Sequence, residues 1–111
     1  MEEWQVWVYR VLASRGFRVE SGVERVAGFN GTVSRRYVLA VRGSVKVRVV
    51  EVSRGRYNVS VLVTGSGASE SLAESLERIG GSVDLEEGVR LYAAFKKLGR
   101  EGLAGVLEGL P

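Results

Sequence analysis

The sequence "SVKVRVVEVSRGRYNVSVLV", Ser44 to Val63, alternates valine with polar residues over most of its length. A period of two is typical of a β-strand with one buried face and one solvated face. The Arg54-Gly55 pair interrupts the alternation, and glycine is favoured where a tight hairpin needs positive φ. The stretch therefore predicts two antiparallel strands, Ser44 to Val52 and Tyr57 to Thr64, joined by a short turn.

The valine pattern also predicts the register of this hairpin. The alternation fails at Val49-Val50, where a β-bulge is expected to return Val52 to the buried face. A two-residue turn then places Val52 opposite Tyr57. It also places Arg48 opposite Ser60. The solvated face of the hairpin is expected to carry Lys46, Arg48, Asn58 and Ser60, with Arg56 at its rim.

Two further strands are predicted upstream. Phe17 to Glu20 alternates, and this strand is expected to continue through residues 23–28. Phe29-Asn30-Gly31 forms a turn, and Thr32 to Val41 forms the next strand. Because consecutive strands joined by tight turns pair antiparallel, the sequence predicts a four-stranded antiparallel sheet.

Helical spacing is found on both sides of the predicted sheet. Apolar residues at i, i+4 and i+8 predict a helix over Glu2 to Ser14, and a similar pattern predicts one over Ser69 to Ile79. Asp84 and Glu87 have the spacing of a capping box, which predicts a helix that runs to Leu98. The glycine-containing tail, residues 100–111, is expected to form a last helix that either docks on the domain or serves in assembly.

These elements predict one α+β domain over residues 1–111. It consists of an N-terminal helix, a four-stranded antiparallel sheet, and two to three C-terminal helices packed on one sheet face. The other sheet face is expected to be solvated, as is common in antiparallel sheets.

The composition excludes several kinds of protein. Without cysteine or histidine the chain has no disulfides, no thiolate metal site and no histidine base. The only aspartate, Asp84, is explained as a helix cap, so no catalytic site, metal site or cofactor is expected. Short apolar runs and an acidic start favour a cytoplasmic protein over a membrane or secreted one. The scarcity of Asn, Gln, Cys and Met is typical of thermophiles, although a GC-rich genome produces part of the same bias.

Positive charge is concentrated in the first two-thirds of the chain. Residues 1–66 carry eleven Lys and Arg against five acidic residues, whereas residues 67–111 carry five against eight. Between Arg35 and Arg56 seven cations accompany one acid, Glu51. Most of them are arginines, which bind phosphate bidentately and stack on flat rings. A basic solvated sheet favours nucleic-acid binding, although cations on a solvated sheet also prevent aggregation.

The candidate binding residues are the cations and aromatic residues of this basic region. Tyr37 shares the face of Lys46 and Arg48 if the turn after Val41 has two residues, whereas a three-residue loop turns it into the core. Phe29 is either an exposed residue that stacks on bases or a plug against the sheet edge. The predicted nucleic-acid-binding residues are Phe29, Arg35, Arg36, Tyr37, Arg42, Lys46, Arg48 and Arg56.

The element order, the size and the basic outer sheet resemble the N-terminal domain of the ThermoDBP-related single-stranded DNA-binding proteins of hot-living archaea. The resemblance spans the helix over residues 2–14, the strands through Thr64 and the helices after Ser69. It rests on architecture and composition. It implies a basic and aromatic cleft for single-stranded DNA and assembly into oligomers. The expected partners are therefore single-stranded DNA, or RNA, and further copies of the chain, with no small-molecule substrate.

Two alternatives remain open. "VYRVLASRGFRVESG", Val8 to Gly22, and "VLAVRGSVKVRVVEV", Val38 to Val52, resemble a restriction-endonuclease-like domain and the subunits of tRNA-splicing endonucleases. The catalytic positions depart from that pattern, since Tyr37–Val41 carries no Asp and no lysine follows Glu51 at i+2. This resemblance therefore implies a non-catalytic structural subunit. The other alternative is an oligomerising scaffold that binds no nucleic acid.

Overall fold

The computed structural model describes all residues from Met1 to Pro111 as an α+β fold with one antiparallel sheet of six strands. In chain order its elements are α1 (Glu3–Ser14), β1 (Arg18–Gly28), β2 (Gly31–Arg42), β3 (Val45–Ser53), β4 (Arg56–Thr64), α2 (Glu70–Arg78), β5 (Ser82–Glu86), β6 (Arg90–Leu98) and α3 (Arg100–Glu108). The strands lie side by side in the order β1-β2-β3-β4-β6-β5.

The central hairpin forms because its valines share one side of the sheet. Val47 lies opposite Val61 and Val49 opposite Val59, and all four are buried. We call the side of the sheet that carries these valines the covered face, and the other side the open face. Burying β-branched side chains on one face of paired strands is the main stabilising contribution of this hairpin.

The three helices supply the apolar residues that bury the covered face. Their core residues are Trp4, Val8 and Leu12 of α1, Ala73 and Leu76 of α2, and Leu103, Val106 and Leu107 of α3. The tail therefore docks on the domain through α3, one of the two roles considered for it. None of the three helices is long and apolar enough to cross a bilayer.

The expected sheet of four strands with two to three C-terminal helices is wrong. The segment from Asp84 to Leu98, predicted as a helix, contains the end of β5 and all of β6, joined by a turn in which Gly88 has φ 76°. β6 pairs with β4 along the edge that the shorter sheet would have left open. The unpaired edge of a strand with buried valines favours strand pairing over the local capping signal of Asp84 and Glu87.

The central hairpin has the two predicted strands, but its β-bulge lies at another position. Arg48 lies opposite Ser60, as expected, but the bulge lies between Glu51 and Ser53 rather than at Val49-Val50. Glu51, not Val52, therefore lies opposite Tyr57. Tyr57 is buried against Trp4, and burial, with the nearby Glu51 carboxylate, raises the pKa of its phenol.

β1 and β2 extend beyond the rest of the sheet as a two-stranded arm. β3 pairs with β2 only from Tyr37 onwards, so Val23 to Arg36 pair only with each other; we call this segment the arm. At the root of the arm the buried Gln5 donates from Nε2 to the carbonyl oxygens of Gly22 and Tyr37, both at 3.1 Å. Helix α1 therefore fixes the point at which the arm leaves the sheet.

Candidate nucleic-acid interface

The open face is organised in rows that cross the strands. From the strand register, one row contains Arg18, Val41, Lys46, Leu62, Tyr92 and Asp84. The next row contains Glu20, Leu39, Arg48, Ser60, Ala94 and Ser82. A third row contains Gly22, Tyr37, Val50 and Asn58. Polar, aromatic and half-buried aliphatic side chains thus alternate across a face that no helix covers.

A groove of about 190 Å³ crosses β3, β4 and β6 on this face. It forms where small side chains, Ser60 and Ala94, lie between larger ones. Arg48, Tyr92 and Lys96 are among the residues that line it. The Tyr92 side chain is 44% exposed, which leaves its ring accessible to a planar ligand.

A bulge in β6 shapes one end of the groove. The register between β4 and β6 shifts between Tyr57 and Val59, and Lys97 has φ 55°, a left-handed conformation that is unfavourable for a residue other than glycine. Asn58 stabilises this bulge because its Oδ1 accepts a hydrogen bond of 2.8 Å from the Lys97 N–H. Since Oδ1 accepts, the two amide hydrogens on Nδ2 of Asn58 remain to donate to a ligand.

The charge of the open face is mixed rather than uniformly positive. Arg48 forms an ion pair with Glu24 of β1, and its guanidinium carbon lies 5.7 Å from the centre of the Tyr37 ring. Glu20 lies in the same row as Arg48. Lys46 and Lys96 are exposed and form no ion pair. Arg18 and Arg90, on the same face, are likewise exposed and unpaired, so these four cations of the open face are available to a ligand phosphate.

Several of the predicted binding residues do lie together. The turn between β2 and β3 has two residues, but they are Gly43-Ser44 rather than the expected Arg42-Gly43. Tyr37 lies on the open face with Lys46 and Arg48 in this register too. Arg35 lies on the same side, on the arm opposite Glu24.

Two of the predicted arginines lie on the covered side. Arg36 pairs with Glu2 at 3.4 Å. Arg42 lies over the ring of Phe17 at 4.4 Å, and donates to the backbone oxygens of Arg15 and Pro111. These contacts join the ends of α1 and the C-terminal residue to the sheet. Both arginines therefore lie away from the open face, where their position in the sequence had suggested a binding role.

The last two predicted residues lie at the periphery of the sheet. Arg56 is exposed at the start of β4, and its guanidinium lies beside Gly99. Phe29 is fully exposed at the tip of the arm and does not plug the sheet edge. It precedes Tyr37 by eight residues, in the turn before β2, and is roughly 25 Å from it at the rise of an extended strand. Neither residue lines the groove.

Tyr92 and Lys96 are the groove residues that the sequence analysis missed. Both lie in the segment predicted as a helix. The available signal was the buried set Leu91, Ala93 and Phe95, which alternates with Tyr92, Ala94 and Lys96 at a period of two. The glycine at position 88 marks the turn that precedes this strand.

Glu51, the acid on which endonuclease-like chemistry would depend, does not line the groove. The Glu51 carboxylate is 3.5 Å from the N–H of Gly55, in the turn between β3 and β4. Asp and Glu side chains form no cluster of three or more that could hold a metal ion.

No protein-family profile, curated protein or solved structure matches this chain. The function is therefore argued from the groove and the open face alone.

Proposed function

We propose that this protein binds single-stranded nucleic acid, DNA in the first instance, on the open face of its sheet and without strong sequence preference. The observation that carries the proposal is the groove, in which the accessible ring of Tyr92 lies near cationic side chains and the small side chains of Ser60 and Ala94. Proteins that bind single strands combine aromatic stacking with a positively charged track for the backbone.

Two tyrosines provide the stacking surfaces. Tyr92 and Tyr37 lie on the same face, three strands and two rows apart, which corresponds to roughly 20 Å from strand spacing and rise. The Tyr92 ring accepts one base, and the half-buried Tyr37 ring, beside the Arg48 guanidinium, offers a second, less accessible surface. The half-buried Leu39, Val50 and Leu62 between them offer apolar contact to sugars and bases. Because every base has a π-face, this arrangement tolerates any sequence.

The cations provide the backbone track. Lys46 lies in the row of Tyr92, and Lys96 lines the groove, so phosphates on both sides of a base stacked on Tyr92 meet a lysine. Arg48 contributes less free charge because Glu24 already pairs with it. Asn58 and Ser60 between these cations donate hydrogen bonds to phosphate or base oxygens.

Replacing Tyr92 by alanine tests the stacking surface. We expect Tyr92→Ala to weaken binding of a labelled oligothymidylate of about 15 nucleotides by about 1–3 kcal/mol, the usual cost of losing one stacked base. Fluorescence anisotropy measures this affinity. The matched control is Tyr9→Ala, because Tyr9 is also partly exposed, at 36%, but lies on α1. Equal losses in both variants would remove the groove from the binding site.

Reversing the two free lysines tests the phosphate track. We expect the double variant Lys46→Glu and Lys96→Glu to make the plot of log affinity against log salt shallower by about 1.4, because each phosphate contact on a single strand contributes about 0.7. The control reverses Arg10 and Arg78, which are exposed on α1 and α2. A slope that changes equally in the control would mean that only the net charge matters.

The aliphatic residues of the open face favour a second candidate function. Leu39, Val41 and Leu62 lie between the polar residues and are only half-buried, so a protein partner could also cover this face. Such binding would depend little on salt. Absence of oligonucleotide binding at low salt would favour this scaffold function over the proposed one.

A further inference from the structure

The outer edge of β1 is a second interaction surface of this protein. β1 is the first strand of the sheet, so no strand pairs with its outer side. It has eleven residues in regular register with β2 from Arg18 to Gly28, and it contains no proline, no lysine and no bulge. Short length, charged side chains, proline and bulges are the usual protection of such edges, and β1 has only the charged side chains, two arginines and two glutamates. The opposite edge, β5, is protected by its length of five residues.

Gln5 indicates which backbone groups of β1 point outwards. Its Nε2 reaches the carbonyl oxygens of Gly22 and Tyr37 at once, so both oxygens lie between β1 and β2. Backbone groups of successive residues in a strand point to opposite sides of that strand. Those of Ser21 and Val23 therefore point away from β2, and the same alternation applies to Val19. The outer edge thus presents free donors and acceptors at every second residue.

We propose that this edge pairs with the same edge of a second copy of the chain, antiparallel, with Ser21 on the two-fold axis. Val19 then lies opposite the partner's Val23, and Arg18 lies opposite the partner's Glu24. The two-fold axis generates each of these pairs twice, as expected for an isologous interface. Each outward-facing pair exchanges two backbone hydrogen bonds.

The charged residues of β1 favour this register over the two in which the axis is shifted by one residue. With the axis at Gly22, Glu20 would lie opposite the partner's Glu24, and like charges directly opposite each other are destabilising. With the axis at Glu20, that residue would face its own copy. The register centred on Ser21 is the one that places Arg18 and Glu24 opposite each other on the open face.

Exposed apolar side chains at this edge favour the same pairing. Val23 is 61% exposed and Met1 is 75% exposed, although both are apolar. The Met1 sulfur lies 2.6 Å from the Ser21 hydroxyl oxygen, next to the proposed axis. A second copy would cover Val23 with Val19 and bring the two Met1 side chains together. The pairing therefore removes two of the exposed apolar residues from water.

Sedimentation velocity over loading concentrations from about 1 µM to 1 mM tests the proposal, which does not depend on the proposed function. We expect the unmodified protein to form a dimer, and Val23→Lys to weaken the dimer at least about tenfold by placing a charge in the paired edge. The matched control, Val89→Lys, changes an equally apolar residue that is 53% exposed in the turn before β6, and we expect no effect on the dimer.

A second variant acts through charge alone. Arg18→Glu places a carboxylate opposite the partner's Glu24, and we expect it to weaken the dimer, whereas Arg10→Glu on α1 leaves it intact. Circular dichroism establishes that each variant is folded. A protein that stays monomeric over the whole range would overturn the proposal. A dimer that persists in both Val23→Lys and Arg18→Glu would overturn it equally, since the interface would then lie elsewhere.

Discussion

Replacing Phe95 by alanine is expected to lower the free energy of unfolding by about 3–5 kcal/mol, the usual cost of truncating a buried phenylalanine. Phe95 is 1% exposed on the covered face of β6 and lies opposite Val59. Its ring lies against Gly81 so closely that a Cβ added there would be 2.8 Å from it. The ring therefore packs between the end of α2 and the sheet, and its removal leaves a cavity there.

The same substitution at Phe29 provides the control. Phe29 is fully exposed at the tip of the arm, so we expect Phe29→Ala to change the stability by no more than about 0.5 kcal/mol. Urea unfolding followed by circular dichroism measures both variants. A small loss in Phe95→Ala would contradict the burial of this ring between Gly81 and the covered face of the sheet.

Replacing Arg15 by methionine is expected to lower the free energy of unfolding by about 2–4 kcal/mol. The Arg15 guanidinium, just after α1, donates to the backbone oxygens of Leu107 at 2.6 Å, Glu108 at 3.2 Å and Leu110 at 2.7 Å. Hydrogen bonds from a charged donor each contribute about 1.5–3 kcal/mol, and bonds that share one donor group are not additive.

Methionine keeps the length of the aliphatic part of the arginine side chain and a similar helix propensity, so the main change is the loss of the guanidinium and its hydrogen bonds. The control is Arg10→Met, because Arg10 is exposed on α1 and forms no ion pair. We expect the control to unfold at nearly the urea concentration of the unmodified protein. Indistinguishable midpoints for the two variants would mean that α3 is held by its apolar residues alone.

The sequence predicts the elements whose signals are local. The valine alternation of Val45 to Val63, the glycine turns and the apolar spacing of α1 and α2 each depend on residues close in the chain, and the structure has these elements near the predicted bounds. The segment after Gly81 was predicted wrongly because its strand character depends on β4, about thirty residues away, which offers it an open edge.

The candidate site was predictable only in part, because some of its contacts join residues that are distant in the chain. Tyr37, Lys46 and Arg48 follow from the alternation of neighbouring strands once the turn length is known. The side of the sheet taken by Arg42 was not predicted, although Ala40, two residues earlier, is buried on the covered face. The pairing of Arg48 with Glu24 joins strands that are not adjacent in the sheet, so no local pattern indicates it.

The arm has a consequence for local opening. Between Arg25 and Ser34 its two strands pair only with each other, and a two-stranded ribbon without a covering layer is marginally stable in water. Its amide hydrogens should therefore exchange with solvent through opening of the arm alone, at a free energy well below that of global unfolding. The amides of β4, between two neighbours in the sheet, should exchange only when the whole domain unfolds. The tip that carries Phe29 can then open and close while the groove keeps its shape. The hydrogen bonds from Gln5 to Gly22 and Tyr37 lie between the two and hold the root of the arm in place.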